Sequence, residues 1–399
     1  MAVYALWGPP TPQTGPLARA GSAVGAGSAL NPDAAGSSKF GVATPSFMFG
    51  PAVRELQRQV PSGQSLYAWP LSQRVYATLL SAEWAPPSAR AAYGRAVLRL
   101  WQDYWCGNTA CVSPGSDQRY TDDAGWVGLG LLKIYEQTGN PAALFHARQI
   151  NTFLKSCEDR NPHQAYCGNT VATVYPGGEY WLFGTGLRST VSTLVAALLA
   201  LELNSINPSD VSDLSYAMNL RYWVQSTMLR SDGLPGDNIT TSGARNMSFS
   251  PDDAGLYIGV DRLLYMRTGE AAYLADATRM AMAAIKYERA HALSSQALIR
   301  LAIFLDNLVL LNSVAPNAAF TSFLDYCAQW VTVRTDAAGK FHEPHAPSGG
   351  GPSNKQSAAV IILGSYKLSR MSPSGITKLE SYRLSQTSLS GIKALRFGE

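Results

Sequence analysis

The sequence predicts an all-α fold, an (α/α)6 toroid of about six helical hairpins behind an extended N-terminal arm. Three observations carry that prediction. Apolar residues recur at helical spacing from about Leu66 to about residue 370. Helices alternate in character, an apolar, small-residue-rich one followed by one charged on a single side, with short joints inside each pair and long joints between pairs. Finally, RYTDDAGWVGLGLLKIYEQTGNPAAL (119–144) returns in register as FSPDDAGLYIGVDRLLYMRTGEAAYL (249–274), with 16 residues from the first Asp to the Thr in both copies.

Composition narrows the function classes. The chain has 399 residues, enough for one large domain or two ordinary ones, and a 46% hydrophobic share that supplies a sizeable core. Only 15% of residues are charged and 10% are aromatic, which suits neutral ligands. The formal net charge of +4 comes with no Lys/Arg block, so no nucleic-acid partner is expected. No run reaches the ~18 apolar residues of a membrane span; the nearest, Val191 to Leu203, holds Ser192, Thr193 and Glu202. Cys106 and Cys111 flank one short loop and Cys157 and Cys167 another, leaving Cys327 single. Loop-stapling disulfides and free thiols both fit that spacing, whereas structural zinc does not. Two sequons, Asn238-Ile-Thr240 and Asn246-Met-Ser248, share one polar loop and lean toward a secreted glycoprotein. Residues 1 to 30 lack the basic start and apolar core of a signal peptide.

In chain order, residues 1–50 form a Gly/Ala/Pro-rich arm with apolar anchors at Tyr4, Leu6, Trp7, Phe40, Phe47, Met48 and Phe49. Such an arm lies along its own domain or reaches a neighbouring subunit in a homo-oligomer. A short amphipathic piece, Ala52 to Val60, opens the toroid of residues 51–370. Its helices are predicted at 66–82, 88–105, 122–137, 141–158, 187–203, 210–230, 253–268, 270–289, 294–311, 317–333 and 354–370. Gly128 and Gly130 hold side-chain volume down on the 122–137 helix, as an inner helix requires. Strand signals are scarce. An open superhelix is the structural rival, but hairpin units of roughly 37 to 60 residues with long loops on one side favour a closed ring. Residues 371–399 form a polar tail.

Ring closure has a chemical consequence. Inner helices that start after the long loops run parallel, so their N-termini gather at one mouth where helix dipoles favour carboxylates. Asp122/Asp123 and Asp252/Asp253 would share that mouth beside loops 106–121, 159–186, 231–252 and 334–353. Those loops bring Tyr120, Tyr175, Gly177, Gly178, Tyr180, Trp181 and Phe183, the flat apolar faces a sugar-binding cleft uses. An Asp-Asp pair before a helix also reads as an N-cap with a first-turn acid. As reacting groups, two carboxyls stand about 5–5.5 Å apart for retention of configuration and 6.5–9.5 Å for inversion. Adjacent residues reach the shorter spacing only by straddling a loop-to-helix junction, where like charges split their titrations.

YTDDAGWVGLGLLKIYEQTGNPAAL resembles the Asp-Asp helix of glycoside hydrolase family 76, the endo-α-1,6-mannanase family of the six-hairpin glycosidases. GGEYW with the following STVSTLVAALLALEL, and SDGLPGDNI, are similar to further stretches of that family. The likeness covers about 65 to 370 and implies an (α/α)6 toroid acting on α-mannose polymers, or a related fungal transglycosylase. It implies Asp122 as nucleophile and Asp123 as acid/base of a retaining mechanism, with Trp126 behind them. Trp126, Tyr180, Trp181, Asp252 and Asp253 are the expected substrate contacts, although at Asp252 and Asp253 the reading as helix caps leads. Arg188-Ser189-Thr190 and Ser250–Gly255 differ from the family where substrate contacts are expected.

Other motifs are weaker. His342-Glu343-Pro344-His345 is one residue short of a zincin motif and contains Pro, so no metal is expected there. No nucleophile elbow, Walker loop or dinucleotide fingerprint occurs, and no cofactor is expected. Gly349–Gly351 reads as a rim loop, and Trp223 and Trp330 as core. The expectation is an extracellular glycoside hydrolase or transglycosylase of α-mannan-like glycans. The alternative is a non-catalytic structural or carbohydrate-binding protein on the same scaffold, assembling through its arm.

Overall fold

The computed structural model describes residues 50–55, 68–82, 94–95, 98, 101–342 (except 114, 161–166, 168–172, 292 and 294–297) and 352–371. The arm at 1–49, most of the 88–105 helix, the 343–351 loop and the tail beyond Met371 lie outside the described residues. So do the expectations placed on them, oligomerisation through the arm included.

The longer helices among the described residues are α1 (Ala68–Ala82), α2 (Thr121–Thr138), α3 (Pro141–Lys155), α4 (Thr190–Ile206), α5 (Val211–Trp223), α6 (Pro251–Thr268), α7 (Ala271–Ala290), α8 (Leu298–Val314), α9 (Ala318–Thr332) and α10 (Pro352–Ser369). Six of them close a ring: α1 packs on α2, α2 on α4, α4 on α6, α6 on α8, α8 on α10, and α10 back on α1. Outside it, α3 packs on α2, α5 on α4, α7 on α6, and α9 on α8 and α10. This is the predicted all-α toroid.

Inner and outer helices differ because their sequences do. α4 is buried on nearly every side, and its hydroxyls are satisfied inside: Thr193 Oγ1 donates to the Ser189 carbonyl at 2.7 Å. α3 buries one stripe, Ala143, Ala147, Ile150, Phe153 and Leu154, while Phe145 on its other side is 59% exposed. The internal repeat is reproduced atom by atom at the helix ends. Gly139 (φ 68°) and Gly269 (φ 72°) adopt the left-handed C-terminal conformation, their N–H groups bonding Tyr135 at 2.7 Å and Tyr265 at 2.8 Å. The threonines before them donate back to Ile134 at 2.6 Å and Leu264 at 2.8 Å. At Gly128 a Cβ would sit 2.6 Å from Leu199 Cδ2, so that side chain would have to shift; at Gly130 the nearest atom is Val75 Cγ1 at 3.6 Å, an ordinary contact.

Several boundaries differ from expectation for local reasons. α4 starts at Thr190, not 187, because Arg188 and Ser189 belong to a strand and Ser189 Oγ caps the Ser192 N–H at 3.1 Å. α5 ends at Trp223 and continues as a π-helical turn, Val224–Met228. Scarce strand signals conceal a four-stranded antiparallel sheet of two-residue strands. Its order is β3 (Glu179–Tyr180), β4 (Arg188–Ser189), β5 (Asn238–Ile239), β6 (Arg245–Asn246), with β1 (Trp105–Cys106) and β2 (Thr109–Ala110) paired separately. Two residues are too few to show alternation. Cys106–Cys111 and Cys157–Cys167 are disulfides, and Cys327 is a buried free thiol.

Two buried polar groups stand apart. Tyr76 of α1 donates to Asp306 of α8, α10 lying between the two helices in the ring, and Ser365 of α10 stands 3.5 Å from the other Asp306 oxygen. On α7, Glu288 is 1% exposed and its Oε1 has no hydrogen-bond partner. Burial raises it to about 7, His291 opposing. A carboxyl whose folded pKa is raised stabilises the fold fully below about 4.5, and that contribution is lost as pH rises through about 7. Glu288→Gln is therefore expected to raise stability at pH 8 and flatten its pH dependence between those values, as followed by urea titration; an unchanged slope would remove the argument.

Candidate active site

The site is assembled by backbone stitching at the starts of the inner helices. Tyr120 enters α2 in extended conformation (φ −93°, ψ 132°) without a side-chain cap. The turn is held instead by the β3 edge: Thr121 N–H donates to the Trp181 carbonyl at 2.9 Å and Thr121 Oγ1 to the Tyr180 carbonyl at 2.6 Å. Phe183 N–H donates to Arg119 at 3.1 Å. This brings the Trp181 indole over the acid pair, where Nε1 donates to Asp122 Oδ2 at 3.2 Å and the ring packs 4.9 Å from Tyr120.

The two neighbouring acids have unlike surroundings. Asp122 is half-buried; burial raises its carboxyl to about 6, held down by the Asp123 and Asp122 backbone N–H groups and the Trp181 indole, with the Asp252 charge pushing up. Asp123 is 8% exposed, and burial with the Asp122 charge pushes it well above the usual carboxylate range. Both carboxyls are thus pushed up, Asp122 alone having donors that oppose the rise, an asymmetry of the kind a nucleophile and proton donor need.

On the facing wall, α6 opens with Ser250, Pro251, Asp252 and Asp253, again without a side-chain cap on the helix N–H groups. Ser250 Oγ donates to Asp252, and Arg300 of α8 donates to Ser250 Oγ at 2.8 Å while its Nε stands 4.0 Å from Asp252 Oδ2. Asp237 is the third element. Its Oδ2 accepts the side-chain amides of both Asn238 and Asn246 at 2.9 Å. Burial raises the Asp237 carboxyl, Arg300 opposing and Asp252 adding. The loop is fixed to α4 by Thr190 N–H on the Asp237 carbonyl at 2.8 Å.

Of the expected site residues, Asp122, Asp123, Trp181, Asp252 and Asp253 come to one mouth, and charge coupling runs from Asp122 to Asp252 and Asp253. Trp126 is half-buried one helical turn after Asp122. Tyr180 is displaced from its expected place: it is 1% exposed, packed in the interior, and serves the site through its carbonyl. Arg188 is likewise no substrate contact. It is 0% exposed, paired to Asp159 Oδ2 at 3.0 Å, and donates to the carbonyls of Tyr175, of Gly177 at 3.2 Å and of Thr240 at 3.2 Å. Gly177 and Gly178 (φ 115° and 75°) lie flat on the Trp223 ring, where a Cβ would fall 2.3 and 2.6 Å from ring carbons. Trp223 is core, as expected (4% exposed). Rim aromatics carry cations: Arg119 over Phe183 at 5.3 Å and Arg245 over Tyr175 at 4.6 Å.

Sequence reasoning missed Asp237 and Arg300, and named Ser250 only as part of a departing stretch. Asp237 stands immediately before the first of the two sequons, and Arg300 is the lone cation in the apolar run ALIRLAIFLDNLVLL, a signal that could have found it. Among the described residues no cluster of His, Cys, Asp and Glu has metal-binding geometry.

No protein-family model matches this sequence, and no curated protein does. Solved structures do match. An α-1,6-mannanase of glycoside hydrolase family 76 from Salegentibacter is 18% identical with a TM-score of 0.67, covering 82% of this chain and 100% of that one. A variant of it with Asn at two consecutive Asp positions is described as inactive and in complex with α-1,6-mannotriose. A family 76 α-mannanase from Bacteroides thetaiotaomicron is 17% identical (TM-score 0.66; 81% and 98% covered). Dfg5 from Chaetomium thermophilum, in complex with glucosamine, is 13% identical (TM-score 0.62; 83% and 92% covered).

Proposed function

We propose, on a fold shared with the family 76 six-hairpin glycosidases, that this chain is a retaining glycoside hydrolase or transglycosylase of α-mannan-like glycans. The observation that carries the reading is the adjacent pair Asp122 and Asp123 at the start of one inner helix, the Trp181 indole on Asp122 and Asp123 the more deeply buried of the two. Asp122 attacks the anomeric carbon while Asp123 gives its proton to the leaving oxygen; Asp123 then takes a proton from water or an acceptor hydroxyl as the glycosyl–Asp122 ester is displaced. Trp181 steadies the nucleophile and offers an indole face to a pyranose ring. Adjacent acids in the inactive mannanase variant support the assignment. The two disulfides support an extracellular setting, and among the described residues no helix is long and apolar enough to cross a membrane.

The test is release of reducing ends from α-1,6-mannan, with NMR of the first-formed anomer. Turnover giving the α-anomer is expected. A wild type inert on a broad glycan panel hands the chain to the non-catalytic reading. The pH profile is a second check. Asp122 must be ionised, so kcat/KM is expected to fall as pH drops through about 6; Asp123 must hold its proton, so activity also declines on the alkaline side. A profile flat from pH 4 to 9 would contradict both roles.

A further inference from the structure

The repeat gives Asp252 and Asp253 the places on α6 that Asp122 and Asp123 hold on α2, but not the same surroundings. Asp252 is locked in a frame with Ser250 and Arg300. Asp253 is 2% exposed, and its Oδ1 has no hydrogen-bond partner. An unpaired buried carboxyl oxygen is costly, and a ligand hydroxyl reaching it removes that cost. The groups facing Asp253 are Asp252 on its own helix, Asp237 from the loop before β5, Asp122 from α2 and Arg300 from α8. Burial and this surplus of negative charge push the Asp253 carboxyl well above its ordinary range. A neutral carboxyl both donates and accepts, as a sugar hydroxyl does. The surplus of carboxylates disfavours an anionic ligand.

We propose that Asp253, steadied by the Ser250–Asp252–Arg300 frame, binds a sugar hydroxyl across the mouth from Asp122 and Asp123, as a glycan contact rather than a second reacting acid. This rests on the glycosidase reading and specifies how its substrate is held. A reacting acid and a binding acid separate in steady-state kinetics.

On α-1,6-manno-oligosaccharides, Asp253→Ala is expected to raise KM about thirtyfold and Asp253→Asn, which keeps a donor and an acceptor, about threefold. In both the change falls on KM, not kcat. Asp123→Asn, at the matching position of the other copy, loses kcat instead. A kcat loss in Asp253→Asn as deep as in Asp123→Asn overturns the proposal in favour of a reacting acid. Wild-type KM in Asp253→Ala overturns it by removing the contact. If Asp253→Ala does not fold, Ser250→Ala loosens the same frame and is expected to raise KM, an unchanged KM counting against the proposal. A wild type without turnover on any glycan sinks the glycosidase reading and this proposal with it; turnover with unaltered Asp253 variants sinks the proposal alone.

Discussion

Asp123→Asn is expected to lower kcat on α-1,6-mannan by about 10²–10⁴-fold, the usual worth of a positioned proton donor. Burial and the Asp122 charge raise the Asp123 carboxyl, which favours its protonated form, and an amide has no proton to give. The loss should depend on the leaving group. An aryl mannoside whose phenolate leaves without protonation should recover most of the rate in the first step. Asp122→Asn should lose at least as much on either substrate, because it removes the atom that forms the covalent bond. Chromogenic and reducing-sugar assays run side by side separate the roles. Equal losses for Asp123→Asn on both substrates would exclude it as the acid.

The largest effect on stability is expected at Arg188. Its guanidinium is wholly buried against Asp159 and gathers carbonyls from Tyr175, Gly177 and Thr240, tying the loop before β3 to the turn after β5. Thr173 also donates to the same Asp159 oxygen. Arg188→Ala leaves that carboxylate buried without its counter-ion, a change worth about 3–5 kcal/mol. Denaturant unfolding should show the loss, and Arg188→Ala/Asp159→Leu should recover part of it. Lysine is a poor substitute, since one ammonium cannot reach partners that a planar fork spans. An Arg188→Ala midpoint equal to wild type would mean the loop holds itself.

The two predictions concern residues of unequal legibility in the sequence. Helical period, the Thr-Gly stops and the in-register repeat are local signals, so the ring and the acid pair at Asp122–Asp123 could be read before any coordinates. Tyr180 and Trp181 are adjacent aromatics in one loop, and successive strand residues face opposite ways. Which of them meets Asp122 depends on register with β4, fixed by the pairing of Tyr180 with Arg188. Arg188 itself read as a polar residue near substrate because nothing local announces burial; its partners lie 11 to 52 positions away. Asp237, Ser250 and Arg300 meet only when three segments converge, which no window of sequence contains. Asn238 and Asn246, each opening a three-residue sequon, both donate their side-chain amides to Asp237, a convergence that the sequon pattern does not announce.

The bond from Tyr76 to Asp306 bears on how the ring is fastened shut. It joins α1, the first inner helix, to α8, two places away, and Ser365 of α10 stands beside it. A polar latch thus spans the seam where the beginning of the helical circuit meets its end, so loosening it should be felt first at that joint.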